Sequence, residues 1–218
     1  MRDSLKRLWN EVEELHTSEF LGHKLKPIFG NGKTAKPKFM FVFINPTARN
    51  ISSHQGWEGP RFPFIGTKQI WRVFLKAGLF DAKLMQEIEE SDYWSTKLTR
   101  HVLGFLRQKS FYFTNLVKWT GHDARLPDSK KIKMFLPILL RELKIVKPRY
   151  VVTFGLLPFE SLMQMRLQLG AYYEKLNAAG RPVVYNAHGT KIIPCYFPVG
   201  RGNPKRAVEI LKLLAELP

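Results

Sequence analysis

The sequence predicts an α/β fold, three layers deep (α/β/α) around a central, mainly parallel four-stranded sheet. Three observations lead there. Residues 39–44 (FMFVFI) form an unbroken apolar run, short enough for a buried strand and too short to cross a membrane. Three further runs of strand length follow, at residues 110–118 (SFYFTNLVK), 150–154 (YVVTF) and 191–196 (KIIPCY). Between and around them apolar residues recur at helical spacing. Strands that alternate with helices imply a parallel sheet covered on both faces through right-handed crossovers.

Taken in order, Leu5, Leu8, Trp9, Val12 and Leu15 give a first helix, with Asp3 and Ser4 placed to cap it. Residues 16–38 carry glycines, prolines and lysines without a period and read as a loop. The first strand ends at Asn45-Pro46, because Pro46 lacks an N–H and turns Asn45 away from helical angles. Asn45 is thereby presented at the strand's C-terminal tip. A long polar loop follows, with Arg49, His54, Glu58 and Arg61, and closes on Phe62 and Phe64. After Gly66, Thr67 is expected to cap a helix that buries Ile70, Trp71, Phe74 and Leu75 and ends at Gly78. Residues 80–108 hold helical-looking pieces whose ends the sequence does not mark.

The second strand runs into WTGHDARLPDSKK, residues 119–131. Asp128 or Ser129 then caps a helix with Ile132, Phe135, Leu136, Leu139, Leu140 and Leu143 inward, kinked by Pro137. The third strand is closed by Gly155, and a helix is expected from Pro158. The fourth strand leads into FPVGRGNPKR, residues 197–206, where Asn203 caps and Pro204 opens the last helix. The loops after Ile44, Val117 and Tyr196 share one edge of the sheet. In open α/β sheets, chemistry gathers at that edge.

At 218 residues the chain is long enough for one domain with a substantial core, and a single domain over residues 1–218 is expected. A hydrophobic fraction of 44% with sixteen Phe argues against disorder. The first residues form an amphipathic, acid-bearing segment unlike a signal peptide, so a cytoplasmic protein without a membrane partner is expected. One cysteine, Cys195, excludes an internal disulfide and multi-cysteine metal centres. The net charge of +17, from 35 Lys and Arg against 18 Asp and Glu, favours a polyanionic partner, and nucleic acid is the commonest one. The competing reading is a basic but merely solvated surface.

Several stretches resemble the uracil-DNA glycosylase superfamily. INPT, residues 44–47, is similar to the first motif of the mismatch-specific branch, and GPRFPFIGTKQIWRVFLKAGL, residues 59–79, to a stretch of the family 4 branch. FYFTNLVKW (111–119) and FLPILLRELKIVKPRYVVTFG (135–155) resemble the second motif and the helix and strand that follow it. YFPVGRGNPKR (196–206) stands where members carry a histidine-proline-serine motif. The resemblance covers residues 39–211 apart from about thirty near 80–109, and four motifs in one order, the first being INPT with its continuation at 59–79, make it specific.

The resemblance implies a DNA repair enzyme that flips a deaminated base, uracil or hypoxanthine, from single- or double-stranded DNA and hydrolyses its N-glycosidic bond. It implies a monofunctional enzyme acting without a cofactor, as a monomer. Asn45 would orient a water beside the sugar. Phe64 would stack on the base. Asn115 would accept from uracil N3–H and donate to O4, a pattern that cytosine reverses. Phe197 stands where members place a histidine that donates to the base O2. His54, His122 and His188 are the candidates to replace it. Arg49, Arg61, Lys118, Lys205 and Arg206 would hold phosphates, as would Gly200 and the N-terminus of the last helix. Val199 or Arg201 would wedge into the vacated stack. The family 4 branch holds a four-cysteine iron-sulfur cluster. Trp119 and Phe135 stand at two of those positions, so no metal is expected here.

Each residue also has a plainer role open to it. Asn45 before proline forms turns, Phe64 suits core packing, Asn115 can end a strand through its backbone, and Asn203-Pro204 is a complete helix cap. A protein of this fold that binds nucleic acid with little or no turnover is the main alternative, which Phe197 favours. A hydrolase built on His122 and Asp123, or on His54 with Glu58, is a third reading; nothing in their spacing demands it.

Overall fold

The four expected strands are present, parallel and adjacent. In a computed structural model that describes residues 2–200 and 202–217, leaving out the side chains of residues 2 and 3, they run at Phe39–Phe43 (β2), Phe111–Asn115 (β3), Tyr150–Phe154 (β4) and Thr190–Cys195 (β6). Two short antiparallel strands, Asn31–Gly32 (β1) and Tyr185–Ala187 (β5), complete a six-stranded sheet in the order β1-β3-β2-β4-β6-β5. β1 pairs with β3, and β5 forms a hairpin with β6. The expected four-stranded sheet is thus the parallel centre of a larger one.

Side chains alternate between the two faces of a strand, and here each face is apolar and covered. One face carries Phe39, Phe41, Phe43, Phe111, Phe113, Phe154 and Ile193. It is covered by α2 (Gln69–Lys76), α3 (Ala82–Glu90), α4 (Thr96–Gln108), α7 (Leu169–Ala179) and α8 (Pro204–Leu213). The other face carries Met40, Val42, Tyr112, Val151 and Ile192 beneath α1 (Arg2–Glu19), α5 (Ser129–Val146) and α6 (Leu156–Met163).

Capping follows the sequence at α5, where Asp128 accepts from Lys131 N, and at α8, where Asn203 accepts from Arg206 N and Pro204 opens the helix. Three boundaries differ. α1 already begins at Arg2, upstream of Asp3 and Ser4. α2 has no side-chain cap, because Thr67 Oγ1 turns back to donate to Phe64 O. α6 starts at Leu156, directly behind Gly155, whose φ of +83° lets the chain turn off β4 at once. Residues 80–108 hold two helices, with Asp81 and Ser95 as caps.

The connection after β2 leaves toward the face of α2, while those after its neighbours β3 and β4 begin on the opposite face with α5 and α6. Chains that part in this way at the carboxyl ends of adjacent strands open a crevice there. The tip of β2, where Asn45 follows, lies in it.

Candidate active site

Register places Asn115 level with Phe43, and Asn45 lies two residues further toward the carboxyl edge. Past the strands, the loops stay stitched together. Leu116 N donates to Phe43 O, Val117 N to Ile44 O, Gly121 N to Pro46 O, and Ala48 N to Gly121 O. Asn45 is half-buried, and its Nδ2 donates to Pro46 O at 3.1 Å. That leaves Oδ1 to accept from a ligand or a water.

Asn115 continues the row Phe111, Phe113 on the face that carries Phe43. It is 1% exposed, and its Nδ2 has no hydrogen-bond partner among the described residues. Buried amides are almost always paired, so an orphaned one at a crevice marks a place for a ligand's acceptor.

Phe64 meets Phe43 edge-on, with ring centroids 4.6 Å apart, and Phe43 in turn stacks on Phe154. Its backbone sits at φ +69°, in the left-handed region that bulky residues avoid. Such conformations persist only where the surroundings impose them, and they cluster at ligand sites. Asn50 does the imposing: its Nδ2 donates to Phe62 O while its Oδ1 accepts from Ser52 N and Oγ, and Ile51 N donates to Ile65 O. Sequence reasoning missed Asn50; the Asn50-Ile51-Ser52 spacing of a local side-chain turn is the signal that could have found it.

Phe197 is half-buried above Gly155, where a side chain would meet both Ile44 and Phe197. It therefore borders the same crevice. Of the histidines that could replace its missing donor, His54 and His122 lie on loops at this edge, with His54 Nε2 donating to Ala48 O. His188 does not: it sits in the β5–β6 turn at the opposite edge and donates to Leu162 O.

The phosphate-binding set divides. Arg49, Gly200 and Lys205 are exposed. Arg61 is tied to Glu13 and Pro27 O and lies over Phe29, so it fastens the first loop to α1. Arg206 is clamped by Tyr196 Oη at 2.8 Å and by the Tyr173 ring. Val199 packs against the core, and Arg201 lies outside the described residues.

Lys118 is a correction. It is fully buried, with Nζ donating to Glu142 Oε2 at 2.6 Å, Thr114 Oγ1 at 2.5 Å and the Asn115 carbonyl at 2.6 Å. Tyr112 Oη donates to the other Glu142 oxygen. A side chain so enclosed holds no phosphate. Burial lowers its pKa and Glu142 opposes that shift, while burial, with Glu142 second, pushes the Tyr112 phenol well up.

The residues at the expected iron-sulfur positions do not suit a cluster. Trp119 and Phe135 both pack on Phe20, and the chain's one thiol, Cys195, is buried in β6 and pushed up by that burial. They offer no thiolate.

One cavity, of about 540 Å³, lies elsewhere, between α1, residues 20–27 and the 55–61 loop. His16, 8% exposed and with Nε2 unpartnered among the described residues, lines it with His23. Burial, the largest cause, lowers both pKa values; at His16, His23 and Arg61 reinforce the shift while Glu13 and the Leu25 backbone oppose it, and at His23 the bond to Thr120 O opposes it while His122 and Lys131 reinforce it. The unfolded chain therefore binds protons before the folded one does, so stability should fall as pH drops below about 6.5 toward the folded values. Melting curves of the parent and a His16→Leu variant check this, the variant losing less on acidification.

A profile for the uracil DNA glycosylase superfamily matches residues 29–217. The chain belongs to that superfamily. It is also similar to a type-4 uracil-DNA glycosylase of Pyrobaculum aerophilum, 31% identical over 71 residues. That match takes in 33% of this chain, and the chain spans only 35% of that protein's length. Within the superfamily match fall β1–β6, all three loops at the carboxyl edge, and both Asn45 and Asn115.

Proposed function

We propose that this superfamily member is a monofunctional DNA glycosylase that takes a deaminated base, uracil first and hypoxanthine second, out of the stack and hydrolyses its N-glycosidic bond. The observation that carries the reading is the Asn115 amide, buried, unpartnered at Nδ2, and on the sheet face where Phe64 meets Phe43. A uracil seated there gives that donor its O4 and offers N3–H to the amide oxygen; cytosine offers the reverse at both atoms.

Hydrolysis needs water to add at C1′ as the C1′–N bond breaks, the bonding pair leaving with the base and the water's proton passing to solvent. Asn45 Oδ1 suits that water as acceptor, and the bond from Nδ2 to Pro46 O fixes the orientation of the amide. An amide is no strong base, so positioning and a fixed polar environment carry the rate. Arg49, Lys205 and the N-terminus of α8 suit the phosphates, and DNA is the partner, bound by a monomer of one domain in the cytoplasm.

The test is alkali-labile cleavage of an oligonucleotide bearing one uracil, single-stranded or opposite a purine. The parent should convert it, and Asn45→Ala should slow conversion on the order of a hundredfold. No release at enzyme excess ends the reading. Salt-sensitive binding without release would then mark the alternative that Phe197 favours, a protein of this fold that grips DNA without turnover.

A further inference from the structure

We propose that Lys26 is a positioning residue for base release, one that fixes where Phe64 stands relative to Asn45. The proposal rests on the glycosylase reading and adds to it a residue that acts through others. Lys26 lies on the segment between α1 and β1 and is half-buried between two loops. Its N–H donates to Ser53 O at 2.7 Å, and its ammonium donates to Gln55 O at 2.7 Å and to Trp57 O at 3.3 Å. Its carbonyl accepts from Thr120 Oγ1 at 2.7 Å. One residue thus holds the loop after β2 and the loop after β3 together.

Each of these bonds leads on to a site residue. Thr120 is fully buried and precedes Gly121, whose backbone is bonded to Pro46 and Ala48. A Cβ on Gly121 would stand 3.5 Å from Asn45 Nδ2, so this stretch of backbone walls the Asn45 side chain. In the other direction, Ser53 N and Oγ donate to Asn50 O at 3.0 and 2.7 Å, and Asn50 is the residue that holds Phe62 O and the left-handed turn at Phe64. Gln55 and Trp57 carry the chain from there toward Phe64, with Trp57 Nε1 donating to Pro60 O. A cation grips carbonyls more firmly than a neutral donor does. The Lys26 ammonium is aimed at carbonyls of its own chain, which sets it apart from a phosphate contact. A base stacked on Phe64 and a water on Asn45 react only while both side chains keep their places, and a shift of about 1 Å can cost on the order of a hundredfold in rate.

Lys26→Met keeps the backbone bonds and removes the two from the ammonium. The saturating single-turnover rate of uracil release should fall about thirtyfold, while the DNA concentration for half-saturation and its salt dependence change less than about twofold. Lys26→Arg, which returns a cationic donor, should recover the rate to within about fivefold of the parent. Lys24→Met, which removes an exposed neighbour, should leave the saturating rate unchanged. Weakened, less salt-sensitive binding at an unchanged saturating rate would make Lys26 a phosphate contact and overturn the proposal, as would a rate loss that Lys26→Arg does not relieve. Hydrogen exchange keeps this apart from failure of the glycosylase reading. Amides within residues 53–66 should exchange faster in Lys26→Met than in the parent, whether or not the parent releases base. Unchanged exchange rejects the brace; faster exchange in a protein that releases no base sinks the glycosylase reading alone.

Discussion

An Asn115→Leu variant is expected to be at least as stable as the parent, and by up to about 1–3 kcal/mol more stable, while uracil release falls on the order of a thousandfold. The two effects have one origin. Burying an amide donor without a partner costs roughly that much, and leucine of similar volume removes the cost. Two hydrogen bonds to the base are lost in the same step. Paired thermal melts and single-turnover base release measure both. A variant that melts lower than the parent would mean that the Asn115 side chain supports the fold, and the assignment of its donor to a ligand would be wrong.

The second large effect concerns Lys118. Lys118→Met should lower stability by about 3–5 kcal/mol, because it leaves the Glu142 carboxylate buried with only hydroxyl partners. Combining it with Glu142→Leu should restore most of the loss, since an apolar pair of similar volume has no charge to desolvate. Gly30 is part of the same arrangement: a Cβ there would collide with the Glu142 carboxylate and the Tyr112 hydroxyl. Denaturant unfolding of the two single variants and the double variant gives the coupling. If the double variant were as unstable as Lys118→Met, the ammonium's bond to the Asn115 carbonyl would be the main stabilising contact instead.

Lys118 also shows where reading the sequence fell short. At the end of a strand, a lysine looks like a surface cation, and only its partner reveals otherwise. That partner was visible: Glu142 falls among Phe135, Ile138, Leu139, Leu143 and Val146 on the buried side of α5, where an acid needs a buried counter-charge. Asn115 was legible because it extends the alternation of Phe111 and Phe113. The four central strands were legible because burial on both faces leaves almost unbroken apolar runs. β1 and β5 were not, for they have two and three residues and owe their form to what they pair with. Phe64 was found as an aromatic residue, but its left-handed backbone depends on contacts made by Asn50 and Ile51 from across the loop.

Those two short rims have an effect beyond the single molecule. A long bare rim would let neighbouring copies zip together through free amides, a hazard for any protein crowded onto one polymer. Rims of two and three residues offer little to zip, and a surplus of seventeen positive charges pushes copies apart. Copies bound along one polyanion, as the proposed function has them, should therefore remain separate particles.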